Sequence, residues 1–207
     1  MVEPADVVTA ADALHVLAGV ADDDPRWLAV ASPTTWTAVR TVEHIADTLL
    51  FYAGQVARRA DRRLPVLRDG RTAPPSEQLD NVVTGAHALA RLIRDLGDER
   101  AFHPSGMADA GGWAGMAVTE ILVHGRDAAG ALGQQLVLPE RVCRRTVDRV
   151  FPWVSGVDAS PGELLMAVTG RTSVTGVADD PEWWWQSAPL AEWDGRPRRR
   201  TAPPGWR

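Results

Sequence analysis

Residues 113–129 read WAGMAVTEILVHGRDAA, an apolar run that carries Glu120 and, four residues later, His124. On a helix, positions i and i+4 stack on one face, so a carboxylate and an imidazole would stand side by side in a segment otherwise composed for burial. An exposed ion pair is the ordinary use of that spacing. The apolar neighbours Met116, Ile121 and Val123 favour instead a cation that neutralises the carboxylate and takes up the imidazole lone pair. His44, in TVEHIADTLL, lies beside the apolar face of an earlier helical segment and offers a third ligand. Taken alone, His44 reads more plainly as a buried histidine satisfied by hydrogen bonds. Taken together, two imidazoles and one carboxylate fill three positions of a tetrahedral zinc-type site and leave the fourth open, which is the catalytic arrangement.

Supporting groups follow from spacing. Asp47 and Asp127 each lie three residues beyond a candidate histidine ligand and could fix its imidazole, as the outer partners of metal-bound histidines do; exposed charge is the alternative for both. Arg126 could meet an anionic group on a cofactor or substrate, and ordinary helix-surface arginine is its plainer reading. Trp113 and Trp183 to Trp185 could wall a cofactor or substrate pocket, with core packing as the alternative. Trp36 reads as a packing anchor. His15, His87 and His103 have no partner pattern; His87 reads as helix surface and His103 as loop. The single cysteine, Cys143, excludes an internal disulfide and a multi-cysteine metal knuckle, and reads as a small buried residue.

The elements that must position these groups are helical. Residues 5–21 place apolar side chains at the helical period before DDDP ends the pattern. Residues 34–60 form a stronger segment, with Val39, Val42, Ile45, Leu49, Tyr52 and Val56 on one face and Thr35 or Thr37 as the cap. The breaker-rich PVLRDGRTAPP reads as a loop. Ser76 then opens a third helix with a capping-box pattern, its core face running through Leu79, Val82 or Val83, Ala86, Leu89, Ile93 and Leu96. HPSGMADAGG reads as another loop. The fourth helix starts near Gly112 or Trp113 and stops at Leu132-Gly133. A fifth spans 139–154, and ELLMAVTGR reads as helical. Four long helical patterns with no alternating strands predict an all-α helix bundle, over residues 1–135. Residues 136–207 form an extension with an additional helix and an irregular tryptophan-rich segment that folds back onto the bundle, since adjacent indoles left in water make an aggregation-prone patch.

Composition narrows the partners. The formal charge of −5 argues against a nucleic-acid binder, because neutralising phosphates requires a basic surface; the basic RPRRRTAPPGWR reads as a solvated tail. No run reaches the roughly 18 apolar residues that would cross a bilayer, and the first residues lack a basic leader with an apolar segment. A cytoplasmic protein without membrane or nucleic-acid partners is expected, and the tryptophan-rich tail could pair two copies as a homodimer.

WTAVRTVEHIADTLLFYAGQVA, followed about 70 residues later by WAGMAVTEILVHGRDAAGAL, resembles the N-terminal domain of mycothiol-dependent maleylpyruvate isomerases, within the DinB-like four-helix-bundle superfamily. The resemblance covers roughly residues 5–135. It implies that His44, Glu120 and His124 hold a divalent metal, zinc first and nickel second, and that the thiol cofactor is mycothiol or a similar small molecule. It further implies a thiol transferase or isomerase acting on an electrophilic small molecule, with the three ligands as the catalytic centre. Only about 70 residues follow the bundle, too few to assume the family's second domain, so the substrate need not be maleylpyruvate. Two other readings stay open: a bundle recruited to specialised metabolism for a non-thiol, metal-assisted reaction, and a non-catalytic ligand-binding or resistance protein.

Overall fold

The computed structural model describes residues 1–65 and 73–200. Most of the loop expected around residues 65–75, and residues 201–207 of the basic terminus, lie outside that range. The described chain is mainly helical, with one two-stranded sheet.

Helix α1 (Pro4–Asp12) begins with proline in its first turn and a reciprocal cap between Glu3 and Asp6. The expected helix over 5–21 is α-helical only to Asp12 and continues as 3-10 turns over Ala13–Gly19. The buried residues explain this: Leu14, Leu17 and Val20 recur every three positions, the repeat of a 3-10 helix. Helix α2 (Ala38–Ala57) is capped by Thr37, whose side chain accepts from the Arg40 amide, and it buries Val42, Ile45, Leu49, Tyr52 and Val56. Helix α3 (Pro75–Leu96) has no capping box at Ser76. Ser76 instead lies inside the first turn, and its amide and hydroxyl both bond the Asp22 carboxylate at 2.7 Å. Of the two valines, Val82 faces the core and Val83 faces out.

The segment between α3 and α4 contains a hairpin, β1 (Ala101–His103) and β2 (Gly106–Ala108), where the sequence reads as loop. The Phe102 carbonyl accepts from Gln55 Nε2 at 2.5 Å and its amide donates to the Ala60 carbonyl at 2.7 Å, which ties the hairpin to the end of α2.

Helix α4 (Ala110–Ala131) starts two residues earlier than the apolar run suggests, because Asp109 caps it by accepting from the Gly112 amide at 2.7 Å. It is buried nearly all round, as a helix apolar on every face must be, and packs against α1, α2, α3 and α5. Helix α5 (Glu140–Val150) stops before Pro152, with a 3-10 turn at Pro152–Val154 in place of the helix expected to 154. Its Arg145 pairs with Asp6 of α1. Helix α6 (Pro161–Val168) carries a capping box between Ser160 and Glu163. Beyond it, Trp184 and Trp185 join the core formed by the helices. Among the described residues no helix is long and apolar enough to cross a membrane.

The basic segment does not behave as a solvated tail over its described part. Arg198 donates to Gln186 Oε1 at 2.6 Å, Arg199 pairs with Asp180 at 2.6 Å, and the Arg200 guanidinium lies 4.7 Å from the Trp184 ring centre. Each of these three arginines has a partner on the preceding tryptophan-rich stretch of chain, although Arg199 stays exposed.

Candidate metal centre

Helix α2 brings His44 and helix α4 brings Glu120 and His124 to one place. His44 Nε2 is 3.6 Å and His124 Nε2 is 3.4 Å from the same oxygen, Glu120 Oε2. One ligand atom from each residue lies within 4.8 Å of the others. Metal–nitrogen and metal–oxygen bonds of ~2.0–2.1 Å place tetrahedral ligand atoms about 3.3 Å apart, so the three groups could hold a metal ion with little movement. Glu120 is buried and the two imidazoles are mostly so.

The electrostatics suit a cation. Burial alone would raise the Glu120 carboxyl, but the hydrogen bond from His44 and the charges of His124 and His44 outweigh it and hold the carboxyl at about 2. Tyr52 directs its hydroxyl at Glu120 Oε1, 3.4 Å away, which leaves Oε2 to the imidazoles. Burial first, and then the Glu120 carboxylate, push the Tyr52 phenol well above its usual range, so it remains a donor.

Asp127 does what its spacing suggests. Its Oδ2 is 3.2 Å from His124 Nδ1, which turns Nε2 towards the site. Arg171, following α6, holds Asp127 from behind through Nη2 at 2.7 Å and Nε at 3.3 Å, while its Nη1 donates to the Thr169 carbonyl at 2.7 Å. Asp47 meets Arg40 at 3.5 Å.

A pocket of about 460 Å³ opens in front of the three ligands, walled by Trp36, Trp183, Trp184 and Trp185. Trp36 is more than a packing anchor: its ring centre lies 4.6 Å from that of His44 and 6.0 Å from that of His124. Trp113 is elsewhere, fully buried in the core against Tyr52 and His103. Arg126 is exposed and lines a separate cleft of about 420 Å³ with Ser32, Pro33 and Arg171. Cys143 is buried on α5, and burial pushes its thiol up to about 12.

His103 is the titratable residue that spacing missed. It sits on β1, buried among Tyr52, Trp113, Trp184 and Trp185, and its Nδ1 accepts from the Ser105 amide at 3.1 Å. No local pattern marks it, because its neighbours come from three other stretches of chain. Burial lowers it from 6.5 to about 3. The unfolded chain therefore takes a proton near pH 6.5 that the folded chain refuses until about pH 3, and this contribution to stability, full above pH 6.5, is lost as pH falls. The slope is about 1.4 kcal/mol per pH unit. Between pH 7 and 5 the wild type is expected to lose about 2 kcal/mol more than His103→Gln, measured by urea unfolding. Parallel losses in the two proteins would show that His103 is not held neutral.

Comparison of the chain with protein-family models, with curated proteins and with solved structures gives no match.

Proposed function

We propose that the chain is a metal-dependent enzyme on a DinB-like four-helix bundle, with zinc as the first choice of metal, that activates a small thiol of the mycothiol type. The convergence of His44, Glu120 and His124 at the wall of a 460 Å³ pocket is the observation that carries this reading. A divalent metal bound there supplies a vacant coordination position and lowers the pKa of a thiol that occupies it.

The chain's own residues do the rest. Glu120 contributes the negative charge and Tyr52 fixes which of its oxygens faces the site. Asp127 orients His124. The four indoles put apolar surface beside the ligands, which lowers the local dielectric and strengthens the charge interactions next to it. The thiol must come from outside, because the Cys143 sulfur is buried and held protonated. Its thiolate then forms a bond to an electrophilic carbon. In S-transfer a leaving group departs with its electron pair; in isomerisation the carbon–sulfur bond breaks again after rotation about the neighbouring carbon–carbon bond.

Metal analysis tests the first half. The purified protein is expected to carry about one equivalent of zinc or nickel, and His44→Ala and Glu120→Ala are expected to carry almost none while keeping their helical circular dichroism. A metal-free wild type that also fails to take up added zinc would end the reading. A panel of mycothiol, glutathione and bacillithiol tests the second half. Retained metal with no response to any thiol would move the assignment to a non-thiol reaction in which the metal polarises a substrate oxygen.

A further inference from the structure

We infer that the pocket in front of the metal ligands selects a planar ring bearing an acidic group, recognised by the tryptophan wall and Arg200. The inference rests on the metal-pocket reading above and adds to it the chemical class of the occupant.

Two observations carry it. The wall is built from aromatic faces: Trp183 and Trp185 meet edge to face with centres 5.1 Å apart, Trp184 and Trp185 lie 4.8 Å apart, and Trp36 covers the ligand end. Indoles arranged this way offer both faces and edges, and a flat ring buries more apolar surface against them, with less lost conformational freedom, than a flexible chain of equal size. The second observation is a donor without an acceptor. Arg200 lines the same pocket, stacked on Trp184, and its guanidinium has no hydrogen-bond or ion-pair partner among the described residues.

The other charged groups around the pocket do not duplicate Arg200. Arg171 is committed to Asp127 and the Thr169 carbonyl. Asp180 is paired with Arg199, whose hydrogen bond, ahead of the opposing effect of burial, lowers its carboxyl. Asp179 sits exposed at the rim. Arg200 is thus the arginine of this wall with a donor to spare, and a carboxylate, with its several acceptor sites, is the group a guanidinium pairs with best. Stacking on Trp184 holds the guanidinium in place before a ligand arrives.

The test uses the full chain loaded with zinc and isothermal titration calorimetry with three probes: 2-naphthoate, which has ring and acid; 2-naphthalenemethanol, which has the ring alone; and maleate, which has acid without a ring. Naphthoate is expected to bind at least tenfold more tightly than either control. Arg200→Met is expected to weaken naphthoate at least tenfold and to change naphthalenemethanol less than twofold, the latter serving as the check that the wall remains folded. Equal affinity for naphthoate and maleate, or an Arg200→Met protein that binds naphthoate like the parent, would overturn the inference. Repeating the titration on Glu120→Ala, with its metal content measured, separates the two readings. Arg200-dependent naphthoate binding to that metal-free variant shows that the ring-acid site stands without the ion, and the same binding to a parent protein that takes up no zinc supports the ring-acid inference although the metal assignment fails. Bound metal with no naphthoate binding to the parent overturns the inference and leaves the metal assignment standing.

Discussion

Replacing Asp127 by alanine is expected to damage both the fold and the proposed metal centre. The carboxylate is almost wholly buried, and it is shared by Arg171, at 2.7 Å, and His124, at 3.2 Å. Its removal leaves a largely buried guanidinium without its counter-charge, which costs about 3–5 kcal/mol in comparable cases. It also frees the His124 ring to rotate away from the site, and loss of such an outer partner lowers metal affinity about 10–100-fold. The first effect is read by urea unfolding of the metal-free protein and the second by competition with a chromogenic zinc chelator at a temperature where circular dichroism shows the variant folded. Asp127→Asn keeps one acceptor and is expected to fall between the two. An alanine variant that held zinc as tightly as the parent would show that His124 is positioned by other contacts.

The second large effect is expected at Gly112, about two turns before Glu120 on α4. A methyl group there would overlap the Ser187 carbonyl oxygen and stand 3.2 Å from Arg149 Nη2. The obstruction is backbone on one side, so the segment itself must move. That segment is pinned by Arg149, which donates to the carbonyls of Gln186 at 2.8 Å, Ser187 at 3.2 Å and Ala188 at 3.1 Å and pairs with Asp109. Gly112→Ala gains helix propensity of roughly 1 kcal/mol but loses more by overpacking, commonly about 1–3 kcal/mol and here at the upper end or beyond. Displacement of residues 184–188 carries Trp184 and Trp185 towards solvent, so tryptophan emission is expected to shift to longer wavelength while metal content holds. Gly130→Ala, on the same helix with open space around its Cβ, is the control and is expected to be neutral or slightly stabilising. Unchanged emission and unfolding midpoint in Gly112→Ala would show that the docked segment gives way without loss.

Legibility in the sequence followed the range of the physics involved. The long helices were readable because each writes its burial as a local period, and the His44, Glu120 and His124 set was readable because an i,i+4 pair and a histidine beside an apolar face are also local. The hairpin was not, since three-residue strands are too short to alternate and β1 is held by Gln55 and Ala60 from another helix. The α-to-3-10 change in the first helix was overlooked because Leu14, Leu17 and Val20 fit both periods at that length. Arg171 lies 44 residues from the Asp127 it grips, and no spacing rule spans that gap. Trp113 and Arg126 share α4 with Glu120 and His124, yet the fold places one in the core and the other at a different cleft.

The pocket draws its ligand end from α2 and α4 and much of its wall from residues 183–200. During translation His44, Glu120 and His124, the three candidate ligands, leave the ribosome before that wall is made. A nascent polypeptide halted after α4 would carry those three side chains but neither the Arg171 that grips Asp127 nor the indoles of residues 183–185. Cleavage that removed residues 183–200 would likewise take Trp184 and Trp185 out of the core they share with the helices.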